Sequence, residues 1–390
     1  MSCLPARFSF YGWIASNTVS RDEVSPAEAG NWEWPMPFWD HGVFGWMTEF
    51  LKTETALAVM PFLSFAFSWW LTRLARRYAL RRDMIDRPNS RSSHAAPTPR
   101  GGGIAIAVVL LSFFFWLHCQ ESFSPGLLLA LAGGGGVALV GFLDDRGGVP
   151  VAWRLLVHFC ASAWALVWLG KTPVLALGGA VSVGPVWETG LALFFVVWLI
   201  NLYNFMDGID GLAGAEAISV ALGALMILRM TGNGGGSNLA LLILAGAAAG
   251  FLVWNWPPAR IFMGDVGSGF LGFILAVFSL YVPAQSKMSL WSWLILLGVF
   301  LVDATVTLLV RALRGQQLHV AHRSHAYQQL ARRWRSHQKV TLGVVAVNVL
   351  WLFPLAMAAT WYPGQGAWLT GAALAPLVGV SLWAGAGQEG

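Results

Sequence analysis

Charged residues are scarce in this chain. Only 11% of its 390 residues are Asp, Glu, Lys or Arg, whereas 56% are hydrophobic and the mean hydropathy is +0.61. A soluble domain usually carries about 25% charged residues, so this composition excludes a water-soluble fold of this size. It also excludes a disordered chain, a coiled coil and a disulfide-stapled secreted module. The long apolar runs instead predict a polytopic α-helical membrane protein.

Cysteines and common nucleotide or metal motifs are also rare or absent. The three cysteines, Cys3, Cys119 and Cys160, do not have metal-ligand spacing. The sequence contains neither a GxxxxGK[ST] phosphate loop nor an HExxH zinc motif. We therefore expect no cysteine-metal, P-loop or zinc-protease chemistry.

Eleven apolar runs of about 16–21 residues are candidate membrane-spanning helices. They lie near 54–75, 103–119, 127–142, 152–169, 189–203, 212–230, 238–254, 267–282, 291–311, 340–360 and 367–385. The fold class predicted is an all-α integral membrane protein with about 10–11 transmembrane helices. A segment of alternating β-branched and small residues, Thr172–Pro185, predicts a small external hairpin.

The basic residues are concentrated on one side of this predicted topology. With the adjoining span ends included, 18 of the 24 Lys and Arg fall in alternate loops near 76–102, 143–151, 204–211, 255–266 and 312–339. Positively charged loops stay in the cytoplasm, so we place these loops on the cytoplasmic side. The positive charge therefore indicates membrane orientation, and no nucleic-acid partner is expected.

The first 50 residues do not fit the pattern of spans and loops. They are rich in acids and tryptophan, without the basic and apolar regions of a signal peptide. Met47 begins a conventional-looking start just before the first span. Two interpretations stay open, an over-extended translation start and an external arm.

Carboxylates in a membrane protein mark functional positions, because they are costly to place in lipid. Of the twelve acids after Glu54, five stand close to glycine in the predicted cytoplasmic loops: Asp144, Asp145, Asp207, Asp210 and Asp265. The adjacent Asp144 and Asp145 repel each other, which a divalent cation or a proton-transfer role would offset. A solvated loop start is the alternative.

The next two acidic motifs combine carboxylates with glycine turns. Asp207 and Asp210 lie three residues apart in NFMDGIDGLAG, and Asn201 and Asn204 have the same spacing, more polar groups than a helix cap requires. Asp265 lies in FMGDVGSG at a helix start, a position suited to phosphate and its Mg²⁺. Phe262 could stack on a base or anchor the chain at the membrane interface.

Basic side chains frame these acids in the first and last loops. They are Arg87, Arg91, His94 and Arg100 in the first loop, and His319, His322, Arg323 and His325 in the last. The arginines beside these histidines favour phosphate over a transition metal as the ligand. Asp303 falls inside a span and is expected to face the bundle interior, in a structural or a catalytic role.

Four motifs, in their order along the chain, resemble those of the polyprenyl-phosphate N-acetylhexosamine-1-phosphate transferases. They are DRPNSRSSHAAPTPRGGG, FLDD, NFMDGIDGLAG and FMGDVGS. The resemblance covers roughly residues 55–385 and implies one transmembrane transferase domain over residues 51–390, with residues 1–50 outside it. It implies transfer of an N-acetylated sugar 1-phosphate from a UDP-sugar to undecaprenyl phosphate, with release of UMP. It also implies Mg²⁺ or Mn²⁺ as the cofactor, a bacterial inner-membrane location with the site facing the cytoplasm, and a homodimer as one possible assembly.

The resemblance also assigns roles to residues of this chain. It implies Asp144, Asp145, Asp265 and His325 as catalytic residues, with Asp265 and Asp145 at the metal. One of the aspartate pair, Asp144 in preference, would deprotonate or orient the acceptor phosphate. The substrate-binding residues implied are Arg91, His94, Arg100, Asn204, Asp207, Asp210, Asn255, Phe262, His322 and Arg323.

The last loop separates branches of this family. Where the phospho-MurNAc-pentapeptide translocases have consecutive histidines, this chain reads HRSHAYQQ. Together with the first loop, this resembles the branch that initiates O-antigen synthesis. The peptidoglycan translocase reaction is one alternative, and an ion-coupled secondary transporter is another from a different class. The sugar and the choice between one-step and two-step transfer stay open.

Overall fold

The computed structural model describes residues 54–88, 96–170, 184–232, 234–317 and 322–388. Apart from Glu54, they belong to the unit Thr55–Gly390. The helices are α1 (Glu54–Arg81), α2 (Ile104–Cys119), α3 (Pro125–Gly147), α4 (Val151–Leu169), α5 (Pro185–Phe205), α6 (Leu212–Thr231), α7 (Gly235–Asn255), α8 (Asp265–Gln285), α9 (Leu290–Leu296), α10 (Gly298–Leu313), α11 (Ala326–Trp334), α12 (His337–Val347), α13 (Phe353–Trp361) and α14 (Gly366–Ala384). A π-helical turn, Asn348–Leu352, joins α12 to α13, and a 3₁₀ turn, Pro363–Gln365, precedes α14.

The predicted all-α polytopic membrane fold is confirmed. Each of the eleven predicted spans lies on helix, because an apolar backbone in lipid must satisfy its hydrogen bonds within the segment. In the described part of the chain, eight helical segments are long and apolar enough to cross a membrane, and nine if a bent pair counts as one span. That pair is α9 and α10, which meet at 73°.

Two of the predicted spans fall outside this count. Helix α2 has only 16 residues and is shorter than the roughly 20 needed to cross the hydrocarbon core. Helix α1 carries several arginines along its second half, at Arg73, Arg76, Arg77 and Arg81. Both helices nevertheless have the secondary structure that their apolar runs predict.

Helix α8 is at the centre of the bundle. Nearly all of its residues are buried, and it packs closely against α3 and α5. Glycine permits the contact with α3, since a Cβ atom on Gly141 would lie 2.5 Å from the backbone carbonyl carbon of Asp265. Helix α4 lies at the periphery, with large apolar side chains exposed towards lipid. The end of α8 that begins at Asp265 is therefore held firmly against α3.

The first predicted cytoplasmic loop contains a small antiparallel ribbon that the sequence patterns do not predict. Strand β1 (Ile85–Asp86) pairs with β2 (Thr98–Pro99). The chain after β2 then binds the FMGD motif, since Phe262 N–H donates to the Pro99 carbonyl and Gly102 N–H donates to the Phe262 carbonyl. These bonds fix the first loop against the start of α8.

Three sequence predictions lie wholly or mainly outside the described residues. They are the N-terminal arm at residues 1–50, the external hairpin at Thr172–Pro185, and the central part of the first basic loop, which includes Arg91 and His94. They stay predictions.

Candidate active site

An arginine bridges two of the predicted catalytic carboxylates. Arg154, in the first turn of α4, places its Nη1 2.9 Å from Asp144 Oδ2 and 2.6 Å from Asp265 Oδ2. Asp144 also accepts a hydrogen bond from Val149 N–H at 2.6 Å. Three helices, α3, α4 and α8, thus bring a cation and two anions together at one end of the bundle.

Asp145 has a different environment from its neighbour. Its carboxylate is buried and accepts hydrogen bonds from the N–H groups of Asp265 (3.1 Å) and Val266 (3.2 Å) at the start of α8. Arg100 donates from Nε to the Asp145 carbonyl oxygen at 2.9 Å. The carboxylate thereby satisfies two backbone donors that a helix start leaves without an intrahelical partner. Asp145 therefore positions Asp265.

The loop between α5 and α6 adds a further carboxylate to this group. Asp207 accepts a hydrogen bond from the backbone N–H of Gly264. Burial raises the pKa of Asp207 well above its ordinary value, and the negative charges of Asp265 and Asp145 add to the shift. We call Asp144, Asp145, Asp207 and Asp265 the acidic cluster. Burial and mutual repulsion therefore favour the protonated form of Asp207, and a bound cation would offset that repulsion.

Helix α5 contributes an amide to the same region. Asn204 donates from Nδ2 to Ser268 Oγ at 3.1 Å, and it also forms a side-chain hydrogen bond with Asp265. Ser268 in turn donates to the Gly264 carbonyl at 3.1 Å. The predicted substrate-binding residue Asn204 therefore lies beside the acidic cluster.

Asn255 and Asp210 connect the loops around this cluster. Asn255 is buried, accepts from Gly211 N–H at 2.9 Å and donates to the Ile261 carbonyl at 3.0 Å. Asp210 Oδ2 accepts from Ala259 N–H at 3.0 Å and lies 3.3 Å from His337 Nδ1. Both side chains hold backbone segments in place, and their predicted contacts with uridine stay a prediction.

A cleft of about 510 Å³ opens beside Asp210. Its lining combines the proline pair that follows α7 with basic and polar side chains from the end of α11 and the start of α12. The lining residues are Asp210, Pro257, Pro258, Ala331, Arg332, Arg335, Ser336, His337 and Gln338. Asp210, from the loop between α5 and α6, is the carboxylate in this lining.

The last predicted cytoplasmic loop is anchored by Asp303. This buried carboxylate accepts from the N–H groups of Ala326 (2.9 Å) and Tyr327 (2.8 Å), which begin α11, and lies 3.3 Å from His325 Nδ1. The expectation that Asp303 faces the bundle interior is confirmed. Its hydrogen bonds show a structural role, since they fix the start of α11 and the ring of His325.

The histidines of this loop stack on each other. The ring centroids of His322 and His325 are 4.9 Å apart, and His325 also stacks on Phe205 at 6.2 Å. Burial lowers the pKa of His322 to about 4, with the charges of His325 and Arg311 adding to the shift. His322 is therefore neutral at physiological pH. The backbone carbonyl of Arg323 accepts a hydrogen bond from Arg332 Nη2 at 3.0 Å.

The structure therefore joins the predicted acidic motifs at one end of the bundle. Phe262 is partly buried in the strand-like contact with the first loop. Arg154 is the site residue that sequence reasoning missed, because it was counted only among the positively charged span ends. Its position in the first turn of the helix that follows Asp144 and Asp145 was the available signal.

Carboxylates alone do not complete a metal site here. Within the described ranges, no three His, Cys, Asp or Glu side chains are arranged to hold a metal ion. Mg²⁺, however, is commonly held by one or two carboxylates together with substrate phosphates and water. Asp265 and Asp207 fit that requirement, since both supply hard oxygen donors and a cation would offset the repulsion between them.

Sequence comparison agrees with this architecture. The family model described as "Glycosyl transferase family 4" matches residues 127–283, which contain α4 to α7, most of α3 and α8, and all four residues of the acidic cluster. Over these 157 of its 390 residues, the chain is similar to glycosyl transferase family 4.

Curated proteins match this chain well beyond that segment. The chain is 28% identical over 360 residues to decaprenyl-phosphate N-acetylglucosaminephosphotransferase of Mycolicibacterium smegmatis, which covers 84% of this chain and 88% of the relative. A protein of the same name from Mycobacterium tuberculosis is 28% identical, covering 78% of this chain and 81% of the relative. Undecaprenyl-phosphate alpha-N-acetylglucosaminyl 1-phosphate transferase of Thermotoga maritima is 31% identical, over 54% of this chain and 62% of the relative.

Proposed function

We propose that this membrane protein transfers an N-acetylhexosamine 1-phosphate from a UDP-sugar to undecaprenyl phosphate, releasing UMP. The observation that carries the proposal is the convergence of the acidic cluster and Arg154 at one end of a membrane-spanning bundle. The named activities of the relatives, all polyprenyl-phosphate N-acetylglucosamine-phosphate transferases, support the same reaction class. A lipid substrate reaches such a site from the bilayer and a nucleotide sugar from water.

The chemical problem in this reaction is the approach of two polyanions. In the one-step route that we favour, an oxygen of the acceptor phosphate attacks the β-phosphorus of the UDP-sugar. The bond from that phosphorus to the oxygen bridging the α-phosphate breaks, and UMP leaves with the electron pair. Positioned cations would neutralise the phosphates and the leaving group. Arg154 and Arg100 each lie within 4.0 Å of a carboxylate of the acidic cluster.

Mg²⁺ is the cofactor that we propose for this centre, with Asp265 as the principal ligand and Asp207 or Asp145 beside it. Bound there, the ion would screen the donor diphosphate and stabilise the departing phosphate. Asp144, which is partly exposed and paired with Arg154, would orient or deprotonate the acceptor phosphate. His322, Arg323 and His325 would contact the sugar or diphosphate from the last loop.

We infer the membrane orientation from the distribution of charge. The acidic cluster lies at the end of the bundle where the arginine-rich loops gather, which supports a site facing the cytoplasm of a bacterial inner membrane. Nucleotide sugars are cytoplasmic compounds, in keeping with this orientation. The last-loop sequence HRSHAYQQ supports initiation of O-antigen or another surface polysaccharide. N-acetylglucosamine, N-acetylfucosamine and N-acetylquinovosamine are the donor sugars to compare.

The test uses membranes that contain the full-length chain, UDP-N-acetylglucosamine and undecaprenyl phosphate. We expect UMP release that depends on both substrates, a lipid diphosphate sugar detected by mass spectrometry, and loss of turnover in EDTA that Mg²⁺ restores. Asp265→Asn is expected to lower turnover by about 100-fold or more, since a preorganised charge is removed. Asp83→Asn, which changes an exposed carboxylate, is the matched control. UMP release at the wild-type rate by Asp265→Asn would refute the assigned role.

A further inference from the structure

Two buried polar atoms on helix α4 have no hydrogen-bond partner among the residues that the structure describes. They are Nε of Arg154 and Nδ1 of His158, and neither is exposed to solvent. The two residues are four positions apart in the chain, so they lie one turn apart on the same helix face. Leaving a buried polar atom unpaired costs about 1–3 kcal/mol, and two such atoms one turn apart on one helix indicate a place for a ligand.

The hydrogen-bonding character of each atom can be assigned. Arg154 Nε carries a hydrogen and is a donor. His158 forms a side-chain hydrogen bond with Asn201, whose amide nitrogen already donates to the Val197 carbonyl at 2.7 Å. Asn201 therefore presents its oxygen to His158, and the ring nitrogen that faces it, Nε2, carries the hydrogen. The unpartnered Nδ1 of His158 is then an acceptor.

A ligand for this pair must accept a hydrogen bond at one end and donate one at the other. A singly protonated phosphate monoester does both, since its unprotonated oxygens accept from Arg154 and its P–OH group donates to His158. One helical turn, about 5–6 Å, separates the two positions, a distance that a phosphate group with a hydrogen bond on each side can bridge. A bridging water has the same dual character and is the competing occupant.

The surroundings of His158 favour a ligand that comes from the lipid side. Its neighbours on α4, Leu156 and Phe159, are exposed apolar side chains on a peripheral helix. Arg154 lies one turn nearer the N-terminus of α4 and contacts Asp144 and Asp265 of the acidic cluster. A phosphate held between Arg154 and His158 would therefore adjoin the acidic cluster while its hydrocarbon chain stayed in the bilayer.

We propose that His158 is a positioning residue for the acceptor, whose phosphate OH donates a hydrogen bond to Nδ1 while Arg154 Nε–H donates to another phosphate oxygen. This inference rests on the proposed function and adds a specificity element to it. His158 selects a phosphate monoester attached to a lipid and does not contact the nucleotide sugar.

The experiment measures kcat and both KM values for purified wild-type protein, His158→Leu and His158→Gln. We expect His158→Leu to raise the KM for undecaprenyl phosphate about tenfold, since a hydrogen bond to a charged ligand is lost, with the KM for the UDP-sugar changed less than about twofold. His158→Gln, whose amide oxygen accepts a hydrogen bond, is expected to restore most of the acceptor affinity. Phe159→Leu, a lipid-facing change on the same helix, is the matched control.

An unchanged acceptor KM in His158→Leu overturns the inference and indicates a water-filled position. Equal increases in both KM values, or a glutamine variant no better than leucine, also overturn it, because either result indicates a general structural role. If the leucine variant does not fold, His158→Met is measured in its place.

A second measurement applies if the chain makes no lipid diphosphate sugar. It is the increase in Tm that undecaprenyl phosphate causes in the absence of a UDP-sugar. The proposed function would then fail. The inference would stand if the lipid stabilises wild type more than His158→Leu, and it would fall if both are stabilised equally.

Discussion

Arg154 Nη1 lies 2.6 Å from Asp265 Oδ2, although 111 positions separate the two residues in the chain. The same nitrogen lies 2.9 Å from Asp144 Oδ2, so one guanidinium joins the end of α3 to the start of α8. It offsets part of the repulsion within the acidic cluster. The contribution of the Arg154 charge to turnover can be measured with substitutions at this position.

Two substitutions of Arg154 distinguish the contribution of its positive charge from that of its planar guanidinium group. Arg154→Met is expected to reduce UMP release about 100-fold, since both carboxylates lose their cation. Arg154→Lys should retain part of the rate, because an ammonium supplies the charge but not the planar fork. Arg146→Met, a nearby exposed arginine, should behave as wild type. Equal rates for Arg154→Met and wild type would remove Arg154 from the site.

Asp303 should be needed for folding of the last loop. Asp303→Ala leaves two buried N–H groups at the start of α11 unpaired, and we expect a loss of about 2–3 kcal/mol in stability. Thr307→Val removes only one hydroxyl that donates to the same carboxylate, so its effect should be about 1 kcal/mol or less. Thermal unfolding in detergent gives the comparison. A Tm for Asp303→Ala no lower than that of Thr307→Val would contradict the anchoring role.

Gly141 should tolerate no side chain. In Gly141→Ala the new Cβ would meet the Asp265 backbone carbonyl carbon at 2.5 Å, so α8 must move and Asp265 with it. We expect turnover to fall about tenfold or more, as displacement of a catalytic group commonly costs this much. Gly136→Ala on the exposed face of the same helix meets only Val157 at 4.0 Å and is the control. Full activity in Gly141→Ala would show that this contact does not position Asp265.

His322 should contribute to acid sensitivity. Its folded-state pKa is lowered from 6.5 to about 4, so between these values the unfolded chain binds the proton more readily and stability falls as the pH falls. His322→Gln cannot take up that proton. The decrease in Tm from pH 7 to pH 5 should therefore be smaller for His322→Gln than for wild type. Parallel decreases would show that His322 is not shielded in the folded protein.

The sequence predicts the helices and the acidic motifs because both depend on local patterns. Long apolar runs require helices in lipid, and carboxylates beside glycine at span ends mark places where the chain turns near a polar ligand. The convergence of Asp144, Asp207 and Asp265 at one end follows from the alternation of loops across the bilayer. These parts of the site can be predicted from the sequence alone.

The roles of individual carboxylates depend on tertiary contacts that no local pattern contains. Asp144 and Asp145 are adjacent and chemically identical, yet one pairs with Arg154 and the other caps α8. Arg154 resembles other arginines near span ends, and only its place shortly after Asp144 and Asp145 in the sequence distinguishes it. The 73° bend between α9 and α10 also interrupts a run that looks like one continuous span. Such distinctions arise only when distant helices pack.

Helix α4 faces lipid along much of its surface, yet it supplies the cation of the acidic cluster. A peripheral helix of fixed apolar length adjusts its tilt when the hydrocarbon thickness changes. The distance from guanidinium to carboxylate then depends on the surrounding acyl chains. Turnover in vesicles of defined thickness would thus have an optimum, and the bilayer would act as a mechanical regulator of the chemistry it borders.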